Sequence, residues 1–391
     1  MDQVTSPAKM EASRAVQLLG WMKNMLSVVG LWPLEINDRR FAFSMICMVV
    51  HISSEYADLF HFIGSLEHVV SNLTETITYM VATSQLALLR INSRQFREVI
   101  YEVQDNFQRE SHLTSEERRI FSKYYSKTRL IIQLTVLGEL STAFIYYFAP
   151  ITNILVTINR NGTTELDLPY HSRTFYDLSN IHLYVLTYAA QLPFTVVMSV
   201  GLIGPDCLIV FLTLHVCARL SSLVERINNI RTNRQVCCQE IKEFVRGHIR
   251  LIWMAKTLGK ASSVLLLTQL FGGMLLICIL SYHVLLSAEE GQKSNFVTFT
   301  LYVLSVTFFI LINCYVGESL IQESDRVHES LSECRWYEMS TEHAKWMVIC
   351  MARAQQPLVM TAGKFYTFSL GSFTEIIKTS MAYLSVLRNL I

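Results

Sequence analysis

The sequence predicts an all-α membrane protein: seven transmembrane helices, a cytoplasmic amino terminus, an extracellular carboxy terminus, and helical extensions that form a cytoplasmic anchor bundle. Three observations predict it. Of 391 residues, 51% are apolar and only 17% are charged, whereas soluble domains carry roughly a quarter charged residues. Mostly apolar stretches recur at a length of about 20 residues, at which a helix rising about 1.5 Å per residue crosses roughly 30 Å of hydrocarbon. Lys and Arg crowd into every second connection between those stretches, as expected when basic residues stay on the cytoplasmic side.

The chain reads as a single membrane domain, 1–391, with spans near 41–60, 69–89, 129–148, 183–208, 263–286, 296–318 and 365–387. His51, Glu55, Asp58 and His61 interrupt the first, so only its leading half is cleanly apolar. The segments before the first span and after the second, fourth and sixth hold 5, 9, 9 and 5 of the 33 Lys and Arg residues, while the alternate loops hold Arg160, Arg173 and Lys293. The chain therefore starts in the cytosol and ends outside, the reverse of a G-protein-coupled receptor. No compact apolar stretch with a small-residue cleavage site precedes the first span, so that span is expected to act as the targeting signal. The 152–179 loop contains none of the nine cysteines, which argues against a disulfide-stapled outer domain. It does contain the sequon Asn161-Gly-Thr163, so Asn161 is the glycosylation candidate; Asn72-Leu-Thr74 opens a span, too near lipid to be modified.

Anchor helices are expected at about 91–127, 216–261 and 320–364. Phe96, Val99, Ile100, Val103 and Phe107 fall on one helical face, as do Leu220, Leu223, Val224 and Ile227, then Ile241, Phe244, Val245, His248 and Ile252. Together with 346–359 these stripes form a core below the bilayer; the alternative is that each lies on the membrane surface. Pro193, Gly201, Gly204 and Pro205 are expected to kink or unwind the fourth span. Pro357 and Gly363 divide the last helical stretch into an anchor piece and a membrane piece.

From Cys314 the chain reads Cys314-Tyr315-Val316-Gly317-Glu318, Glu323-Ser324, Trp336-Tyr337, Gln356-Pro357, Ala362-Gly363-Lys364-Phe365, Ser369-Leu370, Phe373 and Thr379-Ser380. In order and spacing this resembles the carboxy-terminal signature of the insect odorant receptor family. The gustatory branch of the same superfamily fits less well, because its Thr-Tyr and Gln-Phe pairs correspond here to Ala382-Tyr383 and Asn389-Leu390. The odorant coreceptor has a similar tail but a longer second cytoplasmic loop, which makes this chain look like an odorant-tuning subunit.

The resemblance implies a ligand-gated, non-selective cation channel. Four subunits, usually a heterotetramer with odorant coreceptor subunits, line a central pore with their last helices in the plasma membrane of olfactory neuron dendrites. Implied partners are a small volatile, membrane lipid and permeating cations. The residues permit this, since Thr379, Tyr383, Val386 and Leu390 follow the spacing of a helix seam facing a symmetry axis. A ring of apolar groups at such an axis blocks ions by dewetting. Matched to the coreceptor's tail, Val386 and Leu390 take its gate positions and Asn389 its polar pore position. Ordinary helix packing is the competing account of the stripe.

By the same resemblance the volatile binds in the outer half among spans two, three, four and six. Candidates there are Ile77, Met80 and Val81; Ser141, Phe144, Ile145 and Phe148; Tyr184, Tyr188 and Gln191; and Phe299, Tyr302 and Val306. Aromatics at this spacing enclose a ligand, or equally fill a bundle core. Glu139 and Asp206 are intramembrane carboxylates, the first open to ligand recognition or helix pairing, the second to a structural or gating role. His215 reads as a packed residue.

Net charge is +1, so nucleic acid is not an expected partner. No nucleophile motif, phosphate loop, metal-ligand spacing or dinucleotide fingerprint occurs, and neither catalysis nor a cofactor is expected. A metabotropic chemoreceptor or a gustatory-type receptor is the alternative reading. Absence of internal repeats weakens a transporter.

Overall fold

Apolar runs this long form helices longer than a bilayer is thick. The computed structural model describes residues 7–62, 64, 66–108, 114–159, 168–173, 180–232, 238–289 and 293–390. The longest helices are α5 (Ser115–Asn159, 45 residues), α6 (Ile181–Thr232, 52 residues), α7 (Cys238–Glu289, 52 residues) and α8 (Lys293–Glu333, 41 residues). At ~1.5 Å per residue they run roughly 60–80 Å, about twice the hydrocarbon thickness, so each must project past the membrane. Among the described residues these four helices are long and apolar enough to cross a bilayer on composition alone.

The shorter helices complete the bundle: α1 (Pro7–Val28), α2 (Asp38–His61), α3 (Leu66–Ile91), α4 (Ser93–Gln108), α9 (Thr341–Ala354) and α10 (Leu370–Leu390). On α2 the polar face is the buried one. Ser44, His51, Glu55 and Asp58 turn inward, while Phe43 and Ile46 are 66% and 62% exposed. That inverts the pattern of a soluble helix and fits one whose outer face meets lipid. It also explains why α2 escapes a hydropathy criterion.

α6, α7 and α8 pack on one another, with α3 against α6 and α7, α5 against α6 and α8, and α2 against α3. Gly201 permits part of this, since a Cβ there would lie 3.2 Å from the Ala82 carbonyl oxygen of α3. Pro193 and Pro205 both lie inside α6, and the expected unwinding does not occur: the helix is continuous through both. Packing against neighbouring helices lets such a helix retain proline.

The apolar stripes bury into one core. Phe96, Val99, Ile100 and Val103 of α4 share it with Leu220, Leu223, Val224 and Ile227 of α6, Ile241 and Phe244 of α7, and Met347 and Cys350 of α9. A capping box starts α5: Thr114 Oγ1 accepts from the Glu117 N–H and Glu117 accepts from the Thr114 N–H at 2.9 Å. Glu117 then reaches α6, accepting from Arg226 Nε at 2.6 Å and Ser222 Oγ at 2.8 Å. The amino-terminal helix α1 was not anticipated by the span pattern; it buries Leu19, Met22 and Leu26 in the same core. A hairpin of β1 (Leu31–Trp32) and β2 (Glu35–Ile36), pairing Leu31 with Ile36, links it to α2.

Between α9 and α10 runs a second hairpin, β3 (Thr361–Ala362) and β4 (Tyr366–Thr367), with Ala362 opposite Tyr366. Gly363 and Lys364 both take positive φ at its tip, and their N–H groups donate to the carbonyl and hydroxyl of Ser263 on α7. The break near Pro357 and Gly363 is thus a docked hairpin rather than a bend within one helix.

Candidate ligand cavities and pore helix

Two adjoining cavities lie among α3, α5, α6, α7 and α8. The first is lined by Glu75, Thr78, Tyr79, Glu139, Thr142, Ala143, Tyr146, Tyr170, Met198 and Tyr302. The second is lined by Thr78, Val81, Gln85, Glu139, Leu202, Gln269, Gly273, Leu276, Tyr302, Val306, Phe309 and Ile310. Thr78, Glu139 and Tyr302 belong to both walls, and the Tyr302 hydroxyl sits 2.6 Å from Thr78 Oγ1 at the boundary. One wall is therefore polar and aromatic, the other mostly apolar.

Side chains around the first cavity hold one another. Tyr146 donates to Glu75 at 2.6 Å, and the His171 backbone N–H donates to the same carboxylate at 2.7 Å. Beyond Glu75 lies a second polar group, with His68 Nε2 2.6 Å from Asp58 and His51 Nε2 3.2 Å from Glu55. Asn72 donates to the Glu55 carbonyl and to Asp58, both at 3.1 Å, so this buried sequon is unavailable to a glycan. Histidine, rather than Lys or Arg, stands beside each of these three acids.

Of the candidates named from the sequence, Val81, Tyr302 and Val306 line the cavities. Phe299 stands behind them, its ring stacked 4.4 Å from His283 and edge-on to Tyr146. Gln191 is buried as a clamp, bonded to the Tyr170 backbone and Ser172. Tyr184 and Tyr188 are buried in a neighbouring aromatic cluster, where the Tyr188 hydroxyl donates to the Tyr147 carbonyl. Phe144 and Phe148 line an open groove on the outer surface of α5 and α6. Ile77 and Ile145 are half-buried, Ser141 and Met80 exposed, and none of these four lines either of the two cavities.

Most of the first wall comes from residues outside the aromatic and aliphatic candidates: Glu75 and Thr78 share a face of α3, and Thr142 and Tyr146 share one of α5 with Glu139, the carboxylate expected to serve ligand recognition or helix pairing. Polar stripes within apolar helices point inward, and that signal would have found them.

Asp206 accepts from Asn313 Nδ2 at 3.2 Å, and Asn313 also contacts Gln269 at 3.4 Å, tying α6, α7 and α8 together. His215 is buried with Nδ1 3.1 Å from the Tyr125 hydroxyl. Among the described residues no cluster of metal-ligating groups occurs.

The carboxy-terminal signature forms the mounting of α10. Gly317 faces Phe368 so closely that a Cβ would strike the Phe368 backbone. Ser324 Oγ accepts from the Leu358 N–H at 3.0 Å, and Tyr366 donates to the Ser372 carbonyl at 3.0 Å. α10 buries Ile376 and Ser380 against α7 and α8, half-buries Thr379, and leaves Tyr383 and Val386 58% and 56% exposed. Asn389 and Leu390 end the helix with side chains outside the described part, and Asn161 lies outside the described residues altogether.

Lipid-facing apolar helices around buried cavities define a multi-pass helical membrane protein. A family profile described as 7tm Odorant receptor matches residues 65–381, and the chain belongs to that family. Odorant receptor 13a of Drosophila melanogaster is 24% identical over 93% of each chain. The odorant receptor coreceptor of Aedes aegypti is 25% identical over 148 residues, 38% of this chain and 30% of that one. The fold is that of the insect olfactory receptor OR5 from Machilis hrabei, with a TM-score of 0.76 at 14% identity, covering 96% of this chain and 100% of that one; OR5 has also been solved in complex with eugenol.

Proposed function

We propose that this odorant receptor is a ligand-gated, non-selective cation-channel subunit, joined with coreceptor subunits in a heterotetramer of the plasma membrane. A small volatile enters the paired cavities, and α10 lines the pore, with Val386 and Leu390 at the gate, Asn389 as its polar residue, and Thr379 and Tyr383 along the same seam. The observation that carries this reading is the unpartnered face of α10: Tyr383 and Val386 project from a helix whose opposite face is buried against α7 and α8. Apolar side chains of this kind close a pore by excluding water once copies of the helix meet at an axis. The local similarity to a coreceptor and the eugenol-bound relative favour the same partner and ligand types.

The amino terminus is cytoplasmic, the 91–127, 216–261 and 320–364 segments form the cytoplasmic anchor, and Asn161 carries a glycan outside. The orientation follows from the Lys and Arg distribution.

Currents recorded from cells expressing the chain with and without coreceptor, against a broad volatile panel, test the proposal. Odorant-evoked cation current that needs both subunits is expected. Responses that persist when permeant cations are removed from both sides, or that require a G protein, would instead establish a metabotropic receptor. Loss of an endoglycosidase-sensitive mass shift in Asn161→Gln checks the orientation.

A further inference from the structure

We propose that the ligand of the paired cavities carries a hydroxyl group, donated to acceptors at the Glu139–Tyr302 junction, with its hydrocarbon part in the second cavity. This rests on the reading of those cavities as the odorant site. It follows from counting hydrogens, because each hydroxyl has one to give and an oxygen that has given it remains an acceptor.

Thr78 donates to the Thr74 carbonyl at 2.8 Å, so in its 2.6 Å contact with Tyr302 the hydrogen must come from Tyr302. Thr142 gives its hydrogen to the Gly138 carbonyl at 2.9 Å. Tyr146 gives its own to Glu75 at 2.6 Å. Backbone N–H groups of the helical wall residues are spent on carbonyls one turn back, and the N–H of Tyr170, which lies outside the helices, donates to Gln191 Oε1 at 3.2 Å. Tyr79 carries a buried hydroxyl without a partner in hydrogen-bond geometry, its ring edge-on to Tyr170, whose own hydroxyl neighbours Tyr79 and Thr195.

What faces the ligand at the junction is therefore mainly lone pairs: the hydroxyl oxygens of Tyr302, Thr142 and Tyr146, and the Glu139 carboxyl. Ser305 is the polar neighbour of Glu139; in either protonation state the carboxyl keeps an acceptor oxygen. In the second cavity, Gln85 gives one amide hydrogen to the Leu265 carbonyl at 2.9 Å and Gln269 accepts from Asn313 at 3.4 Å beside Asp206, so the amide hydrogens they keep belong to that chamber, among Val81, Leu276, Val306 and Phe309. An ester, ketone or ether brings more acceptors to a wall already made of them. An alcohol or phenol supplies the missing hydrogen, and its apolar part fills the other chamber.

Isomeric pairs separate donor ability from size. Alcohols and methyl ethers of equal formula, 1-heptanol against methyl hexyl ether and shorter and longer homologues, with benzyl alcohol against anisole, are applied to cells expressing this chain with coreceptor. Each active pair is expected to show the alcohol more potent by about tenfold or more, the scale of one hydrogen bond to a charged or strongly polar acceptor. Glu139→Gln, which adds a donor, and Thr142→Val, which removes an acceptor without changing shape, are expected to shrink that preference at normal surface labelling. Ethers equal to alcohols, a preference unchanged in both variants, or currents evoked only by volatiles without a hydroxyl would overturn the proposal while leaving the channel reading standing. Absence of current to every volatile would overturn both.

Discussion

The backbone N–H of Leu370, the first residue of α10, donates to the Glu318 carboxylate of α8 at 3.3 Å. A carboxylate at a helix start pairs with an unsatisfied donor and with the positive end of the helix dipole. Glu318 shares its unbroken helix with Tyr302, roughly 24 Å away at ~1.5 Å per residue, so one rigid element touches both the cavities and the mounting of α10. We predict that Glu318→Ala weakens activation by a few-fold at unchanged surface expression, and that Glu318→Gln, which keeps an acceptor, restores most of it. Identical dose–response curves for wild type and Glu318→Ala would remove this contact from gating.

Tyr302 closes the boundary between the two cavities through Thr78. Truncation to Ala merges them and removes a large aromatic surface, so Tyr302→Ala is expected to lower odorant potency by about tenfold, roughly 1.4 kcal/mol. Tyr302→Phe keeps the ring and should fall between. Concentration–response recordings with surface biotinylation check this, and unaltered potency would exclude the residue from the site.

Val386 is exposed on the free face of α10, where it makes no contribution to the subunit's own core. Val386→Ala is expected to change basal current or ion permeation more than odorant sensitivity, because a narrower apolar ring dewets more readily than a wider one. Reversal potentials and basal conductance are the readouts. No change in either would count against α10 as the pore lining.

His248 lies on α7 well before the predicted 263–286 span, buried beside Arg353. Burial first, and then the Arg353 charge, hold its pKa down from the usual 6.5 to about 4. The unfolded chain thus binds a proton that the folded one refuses between these values, so stability is full above pH 6.5 and falls as pH drops toward 4. This one site contributes at most about 1.4 kcal/mol per pH unit. Thermal unfolding in detergent across that window should be less pH-sensitive for His248→Leu than for wild type; equal slopes would refute the assignment.

Much of the molecule was legible in its residues. Apolar runs of helix length and stripes of helical period were visible there, and Gly317, Glu318 and Ser324 stood out as family motifs, whereas their part in mounting α10 was not. The inward faces of α3 and α5 were harder to read. Aromatic and aliphatic positions such as Phe144 and Met80 were the natural pocket candidates, yet they turn outward, while Thr78, Thr142 and Tyr146 line the first cavity.

The sequence alone determined that this chain is a multi-pass helical membrane protein and to which family its ending belongs, because each depends on length, period or local motif. Only the tertiary structure decided which side of each helix looks inward and that two chambers meet at Tyr302. In lipid, hydrophobicity does not separate core from surface, so an apolar side chain is equally at home on either, and neighbouring helices choose between them.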